Sequence, residues 1–382
     1  PIKLRFKGDW PDHLKSNKWS FRIQTKDDTK FKGLKSFSIQ SPHTRSFLKE
    51  WIMHLLFKDE DILTTRYGFI SVSLNNKPLG IYAYEEHFDN ELLEYYNRES
   101  APILKFNEEG LWETRLNNPK NKTPFPFYEA AEVMPFKKNR VLNSPILFND
   151  FKKGSELMLK YKSFISPLNQ LFNLDKAAKI YALYDLGKIR HSYHWHNQRF
   201  YYKPSSNKLE HIAFDCYAGI EEGIEDVIYG YSIKETHHNN SVYLTKQFFN
   251  DSDFVNYYKG YLKEFSSERF GLIFYLASIV SGEAEENFEK GWNVNLFSMW
   301  NFLSALKVEH LNSSRKYIPK VIFTSSIAVF GSPFPDKIDD EFLCSPQTSY
   351  GAQKSSIEIL ISDFSRKGFI NGISLRLPTI CV

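Results

Sequence analysis

The chain has 382 residues, enough for about two domains at ~100–200 residues each, and its 42% hydrophobic and 25% charged residues exclude extended disorder over most of that length. Lys+Arg 49 against Asp+Glu 45 leave a net charge of +4, so the electrostatic footprint of a nucleic-acid partner is missing. Cys216, Cys344 and Cys381 stand far apart without Cys-x-x-Cys spacing, which suggests neither a disulfide framework nor a zinc module and favours a reducing, cytoplasmic compartment.

Residues 2–40 read as short β segments, Leu4–Phe6, Ser20–Thr25 and Leu34–Gln40, with Pro42 ending the third and Thr44 placed to cap the next helix. From Phe47 to Phe57 apolar residues recur on two helical lines, Phe47-Trp51-Leu55 and Leu48-Ile52-Leu56, predicting an amphipathic helix packed on the sheet by that face. Glu50 lies on the line Phe47-Glu50-His54 and can point towards the preceding strand. Tyr67–Leu74 and Leu79–Tyr84 predict a hairpin around Asn75-Asn76-Lys77-Pro78, followed by Glu85-Glu86 and a helix over 87–97. Residues 108–126 are polar and predict a mobile loop, after which 155–162 and 168–187 have helical spacing.

Residues 191–215 carry two hard oxygen donors, Asn197 and Asp215, each attached to a short apolar or aromatic strand, Arg199–Tyr202 and Leu209–Phe214. The polar turn Ser205-Ser206-Asn207 predicts a hairpin that brings the two donors to neighbouring positions, where they suit Mg²⁺ shared with nucleotide phosphates. On residue types alone a surface hairpin with an Asn and an Asp at its ends is the favoured reading, because such pairs are common. His191, His194 and His196 cluster beside it. In an extended segment His194 and His196 would share a side with His191 opposite, and stacked or hydrogen-bonded structural histidines are the reading favoured over a transition-metal site.

This stretch resembles the metal-binding segment of the CotH family of spore-coat-type atypical kinases. The similarity runs from Ile2 to about Leu262, through Arg5-Phe-Lys-Gly-Asp-Trp, Trp19-Ser-Phe-Arg-Ile, Gly33-Leu-Lys-Ser-Phe-Ser-Ile-Gln, Arg45-Ser-Phe-Leu-Lys-Glu-Trp and Leu74-Asn-Asn-Lys-Pro-Leu-Gly-Ile-Tyr-Ala-Tyr-Glu-Glu-His-Phe. The resemblance implies an α+β, two-lobed kinase-like domain over 1–262 that takes ATP and Mg²⁺, with Asn197 and Asp215 as metal ligands and a protein or small hydroxyl as acceptor. It further implies a Lys paired with a helix Glu at the phosphates, for which Lys35 and Glu50 are the choice and Lys26 the competitor, and places Glu86 where the adenine end would lie. The carboxylate that usually orients the attacking hydroxyl five residues before the metal Asn is replaced here by Ser192, leaving Asp185 or His191 as substitutes.

After Leu262 the pattern changes. The apolar run Phe270–Val280 is too short to span a bilayer and reads as a buried strand, 297–306 as a helix and Lys320–Phe323 as a second strand, a parallel βαβ arrangement and hence a partial α/β Rossmann segment. Tyr350 and Lys354 stand one helical turn apart, so that the ammonium can lower the phenol pKa and make it a base, with Ser326 upstream to hold a substrate oxygen.

The motifs Ile279-Val-Ser-Gly-Glu-Ala-Glu, Val321-Ile-Phe-Thr-Ser-Ser-Ile-Ala-Val-Phe-Gly, Pro346-Gln-Thr-Ser-Tyr-Gly-Ala-Gln-Lys and Leu375-Arg-Leu-Pro-Thr-Ile resemble extended short-chain dehydrogenases, in the D-erythronate dehydrogenase-like branch of NAD-dependent epimerases. That resemblance implies Ser326, Tyr350 and Lys354 as catalytic residues, Asn295 as a structural or relay position, NAD(P) as cofactor and a sugar acid as substrate, over about 268–382. No Gly-x-x-Gly-x-x-Gly follows a first strand, so weak or no NAD binding is expected. The two resemblances abut near 265–270, which fits a hybrid of two truncated reading frames. Three functions are open: a CotH-like phosphotransfer domain, an NAD-dependent dehydrogenase, or a non-catalytic hybrid or structural protein. No nucleic-acid partner and no membrane span are expected, and because the chain opens at Pro1 a leader could precede it.

Overall fold

The computed structural model describes residues 2–7, 18–26, 29–117, 128–189, 191–216, 241–267, 269–339 and 341–378. The chain divides into two compact units, Pro1–Ser266 and Ser267–Val382.

The first unit opens with an antiparallel five-stranded sheet of order β1-β2-β3-β5-β4, built from β1 (Ile2–Phe6), β2 (Phe21–Thr25), β3 (Ser36–Gln40), β4 (Tyr67–Leu74) and β5 (Lys77–Glu86). Asn75 and Asn76 both take positive φ at the β4–β5 turn, the conformation that matches a tight hairpin to strand twist. Leu34, Phe37, Ile39 and Tyr82 form the small core of this sheet.

A 3₁₀ turn, Pro42–Arg45, leads from β3 into helix α1 (Leu48–Asp59). This helix overturns the expected packing. Glu50, Met53, His54 and Phe57 face inward, while Phe47, Leu48, Trp51, Ile52, Leu55 and Leu56 are exposed. The inward line has the same helical spacing as the apolar ones, but two of its four members are polar, so hydrophobicity alone selected the wrong face. Thr44 does not cap α1; its hydroxyl donates to the Ser41 carbonyl within the preceding turn.

A second antiparallel sheet, order β7-β6-β8-β9, joins β6 (Ile103–Phe106), β7 (Val133–Pro135), β8 (Arg199–Lys203) and β9 (Lys208–His211). Between β6 and β7 the predicted loop begins instead as helix α2 (Glu109–Asn117), and the rest of that prediction, 118–126, lies outside the described residues. Helices α3 (Pro145–Lys162), α4 (Leu174–Leu186) and α5 (Ser252–Ser267) complete the unit, and its main core is aromatic, with Tyr161, Phe172, Tyr181, Phe200, Phe248 and Phe254 in mutual contact. Gly154 in α3 lets the helix approach this sheet, since a Cβ there would stand 2.6 Å from Leu104 Cδ1 and 3.1 Å from Tyr202 Cβ.

The second unit is a parallel sheet, order β10-β11-β12, of β10 (Leu272–Tyr275), β11 (Lys320–Ser326) and β12 (Asn371–Leu377). Its helices α6 (Ser298–Asn312) and α7 (Ser349–Arg366) share a core with the strands, comprising Met299, Leu303, Val321, Phe323, Ile357 and Ile361. The expected long strand 270–280 is strand only over its first half; residues 276–280 form an irregular segment leading to a short helix. Among the described residues no helix is long and apolar enough to cross a membrane.

The first turn of α7 packs directly on the turn after β11: a Cβ on Gly351 would lie 2.1 Å from the Ala328 carbonyl oxygen. Backbone cannot yield there as a side chain would. We expect Gly351→Ala to destabilise the second unit by about 1–3 kcal/mol although it raises helix propensity. Urea unfolding of the full chain monitored by hydrogen exchange in α7 checks this, and an unchanged or raised stability contradicts it.

Candidate functional site

In the first unit the predicted hairpin forms, with Phe200 opposite His211 and Tyr202 opposite Leu209. Asn197 closes a 3₁₀ turn, Trp195–Asn197, before β8, and Asp215 follows β9 in the left-handed region, φ 58°. Their side chains meet: Asn197 Nδ2 donates to Asp215 Oδ2 at 3.0 Å and to the His191 carbonyl at 3.1 Å. His191 Nδ1 lies 3.4 Å from the same carboxylate oxygen, and its ring is part-exposed.

The other oxygen of Asp215 accepts from Arg45 Nη1 at 2.6 Å. Arg45 opens one of the family-like motifs, yet nothing local in the sequence marks it for a role at Asp215. Burial would raise the pKa of Asp215, but Arg45 outweighs it, with help from His191, and holds the carboxyl well below the usual range. Burial likewise opposes the Arg45 charge, yet Asp215, Glu85 and Glu50 outweigh it and push the guanidinium above its ordinary value.

A second buried pair stands beside the first. Lys7 Nζ donates to Glu85 Oε2 at 2.5 Å and to Gln40 Oε1 at 3.1 Å. Burial lowers the Lys7 pKa more than Glu85 raises it, while Lys7 and Arg45 together pull Glu85 below its ordinary value against burial. Tyr67 shares this neighbourhood: burial first, then the charges of Glu50 and Glu85, raise its phenol. Arg45 Nε, Glu50 Oε2 and Glu85 Oε1 are buried without a hydrogen-bond partner among the described residues.

The structure places the predicted Lys–Glu pair differently. Glu50 Oε1 is engaged by His54 Nε2 at 3.1 Å and by the Cys216 amide at 3.2 Å, not by Lys35. Lys35 stands part-exposed before β3, and the competitor Lys26 is exposed. The lysine that meets a carboxylate here is the part-buried Lys7, just after β1. Charged residues at strand ends, Lys7 just after β1 and Glu85 next to last in β5, were the available signal.

Glu86 is clamped by Arg66, whose Nε and Nη2 donate to its two oxygens at 2.9 and 2.5 Å. Asp185 is buried and accepts Tyr193 OH at 2.7 Å and the Tyr258 phenol, which makes it a packing carboxylate rather than a base facing Asp215. Ser192 is buried too, its single hydroxyl hydrogen shared between the carbonyls of Phe214 (2.6 Å) and Asp215 (2.9 Å). The three histidines are not extended. Two 3₁₀ turns bring their rings into succession, His191 to His194 at 5.6 Å and His194 to His196 at 5.3 Å.

Asn197 and Asp215 thus supply adjacent oxygen-bearing groups of the kind Mg²⁺ takes, once the amide is turned by the half-rotation that exchanges its O and N. A cavity of about 160 Å³ lined by Ile62, Ala177, Lys176 and Leu209 contains none of these residues.

In the second unit Ser326 ends β11, where its Oγ accepts the Ala328 amide at 3.1 Å. Tyr350 lies in the first turn of α7, capped by Thr348, with Ser326 and Ser278 hydroxyls against its phenol. Lys354 Nζ donates to the Thr324 carbonyl at 2.8 Å and sits 5.4 Å from the Tyr350 ring centre. The expected lowering of the tyrosine pKa is not found: burial raises Tyr350, and burial pushes Lys354 down to about 8, so the ammonium is itself weakened. Asn295 accepts the Ile279 amide at 2.8 Å and donates to Gln353 Oε1 at 2.7 Å, tying the segment after β10 to α7. Nowhere in the sequence do two glycines stand three apart, so the strand-to-helix cradle for a dinucleotide pyrophosphate is lacking.

Comparison with known proteins gives two sets of relatives. The sequence profile described as CotH kinase protein matches residues 4–317, running past Ser266 into the second unit. D-erythronate dehydrogenase of Haemophilus influenzae is 44% identical over 123 residues, 32% of this chain and 36% of that protein, and the enzyme of the same name from Cupriavidus necator is 44% identical over 112 residues, 29% and 33%. The crystal structure of a nucleoside-diphosphate-sugar epimerase from Agrobacterium tumefaciens matches at 50% identity over 31% of this chain and 34% of its own, with a TM-score of 0.29. The chain spans about a third of the length of the dehydrogenases it matches.

The Arg45–Asp215 pair yields a quantitative expectation. Either Arg45→Met or Asp215→Asn strands a buried partner and should cost about 3–5 kcal/mol, whereas the double variant should recover most of that loss. Because the folded pKa of Asp215 is depressed, its contribution is present above the ordinary Asp value and fades below it. The wild-type advantage over Asp215→Asn should therefore hold at neutral pH and shrink only below about pH 4. Denaturant unfolding across pH measures both, and additive single-variant losses would contradict the pairing.

Proposed function

Starting from the fact that this chain belongs to the CotH kinase protein family, we propose that residues 1–262 act as a two-lobed, kinase-like domain that binds ATP with Mg²⁺. The small lobe is the five-stranded sheet with α1, and the larger lobe is the second sheet with its helices. The observation that carries the reading is the concentration of Lys7, Arg45, Glu85 and Asp215 in one buried place, with several polar atoms there lacking protein partners.

Asn197 and Asp215 would hold Mg²⁺, which neutralises phosphate charge when bound. The chain's own groups do the rest. Lys7 and Arg45 are the cations that meet the phosphates, and Glu85 positions Lys7. Lys35 and Glu50, the pair that the family resemblance implies for that role, flank the region from just before β3 and the inner side of α1. Glu86, fixed by Arg66, shapes the segment where the adenine end would lie.

Transfer to a protein or small hydroxyl acceptor needs a proton acceptor, and the one hydroxyl hydrogen of Ser192 is taken up by backbone carbonyls. His191, part-exposed beside Asp215, is the remaining base. Nucleotide binding is accordingly the retained function, and phosphotransfer the weakened one.

Thermal unfolding with and without Mg-ATP tests this. A ligand at a hundredfold excess over its dissociation constant should stabilise the chain by ~2.7 kcal/mol, and Lys7→Met or Asp215→Asn should remove the shift. No shift in the wild-type chain sinks the proposal. Ser192→Asp should not restore transfer, because a carboxylate there would face the Phe214 and Asp215 carbonyls. It should instead destabilise, and a variant with normal stability and raised phosphotransfer would refute the structural role given to Ser192.

A second reading rests on Ser326, Tyr350 and Lys354: an NAD(P)-dependent oxidoreductase of the D-erythronate dehydrogenase type, acting on a sugar acid, over 268–382. The missing pyrophosphate cradle predicts no thermal shift with NAD. A shift with NAD alone would put this reading first.

A further inference from the structure

On the inner side of α1 the carboxylate of Glu50, the imidazole of His54 and the thiol of Cys216 each offer a donor atom, all within 4.8 Å of one another, and all three residues are buried. We propose that these residues bind a transition-metal ion of the zinc class, at a site separate from the Asn197–Asp215 pair and independent of nucleotide.

Hydrogen bookkeeping around His54 carries the argument. Thr64 Oγ1 lies 2.9 Å from the Ala213 carbonyl and 2.5 Å from His54 Nδ1. The hydroxyl has one hydrogen, and the carbonyl has none to give. Thr64 therefore donates to Ala213 and accepts from Nδ1–H, which fixes the tautomer. The neutral ring then turns its Nε2 lone pair towards Glu50 Oε1 at 3.1 Å, so that two acceptors face each other. Oε1 already receives the Cys216 amide, and Oε2 receives nothing although Glu50 is wholly buried.

A proton or a metal ion must stand between the two acceptors. A proton, whether carried by Nε2 or by the carboxyl, would join only Nε2 to Oε1 and would leave Oε2 unmet. A metal ion satisfies the Nε2 lone pair, the carboxylate and the sulfur together. As the metal–sulfur bond forms, the thiol proton leaves to solvent. The Nδ1–H to Thr64 to Ala213 chain is the kind of outer support that orients a ligating histidine, and the Tyr67 ring, parallel to the imidazole within 3° and 5.4 Å away, holds its plane. Thiolate with imidazole selects against Mg²⁺ and Ca²⁺ and for Zn²⁺ and its neighbours, with three protein ligands and one open position.

Full-length chain carrying Cys344→Ser and Cys381→Ser leaves Cys216 as the sole thiol. After chelator treatment it is titrated with Co²⁺ and followed by absorption. We expect one equivalent to bind with a thiolate-to-cobalt charge-transfer band and tetrahedral visible bands, displaced by Zn²⁺. Absence of the charge-transfer band in this background overturns the proposal without needing any variant at the site. A band that persists after Cys216→Ser overturns it too. Thr64→Val, close in shape, should weaken Co²⁺ binding about 10–100-fold through the loss of ring orientation, and unchanged affinity would refute the bookkeeping.

Discussion

The ion pair between Arg45 and Asp215 is the constraint on which the first unit's site depends. One partner ends the turn that joins β3 to α1, and the other follows the β8–β9 hairpin 170 residues later. A buried carboxylate and guanidinium each cost several kcal/mol to desolvate, and each is kept charged by the other. The left-handed backbone at Asp215 and the Ser192 hydroxyl on two successive carbonyls hold the carboxylate in reach of its partner. With Lys7 on Glu85 nearby, the sheet ends carry a fixed set of alternating charges rather than a single pair.

The second unit solves a different problem. Its three parallel strands have one face packed on α6 and α7, and the short contact at Gly351 sets where Tyr350 and Lys354 fall relative to Ser326. Asn295 and Gln353 fasten the irregular segment after β10 to the same helix. The tyrosine, lysine and serine are therefore gathered by packing and backbone hydrogen bonds. Phe274, Ile373 and Leu375, on the other side of the sheet, remain exposed, which is unusual for parallel strands.

Much of the strand pattern was legible because turn chemistry is local: Asn75-Asn76 and Ser205-Ser206-Asn207 announce their hairpins, and Asn197 and Asp215 come together as the turn requires. The helix α1 was legible in position and not in orientation. Its apolar lines pointed one way, whereas the partners that decide the matter lie outside it, Thr64 ten residues from His54 and Cys216 166 residues from Glu50. The same distance hid Lys7 and Arg45, and it hid the grouping of Glu50, His54 and Cys216, whose spacing matches no metal motif. Asp185 looked like a base by position, and only the phenols of Tyr193 and Tyr258 show that it is spent on packing.

The inverted face of α1 also bears on how stability varies with temperature. Most helices bury hydrocarbon, and exposing it on unfolding raises the heat capacity; exposing carboxylate and imidazole lowers it. In α1 the indole of Trp51 and the leucines already meet water in the folded state, while Glu50 and His54 do not. This helix, which buries Glu50 and His54 beside Met53 and Phe57, should therefore contribute less to the curvature of the first unit's stability curve than a helix with an all-apolar inner face. Local melting of α1 should accordingly bend less with temperature than melting of the aromatic core around Tyr181 and Phe248.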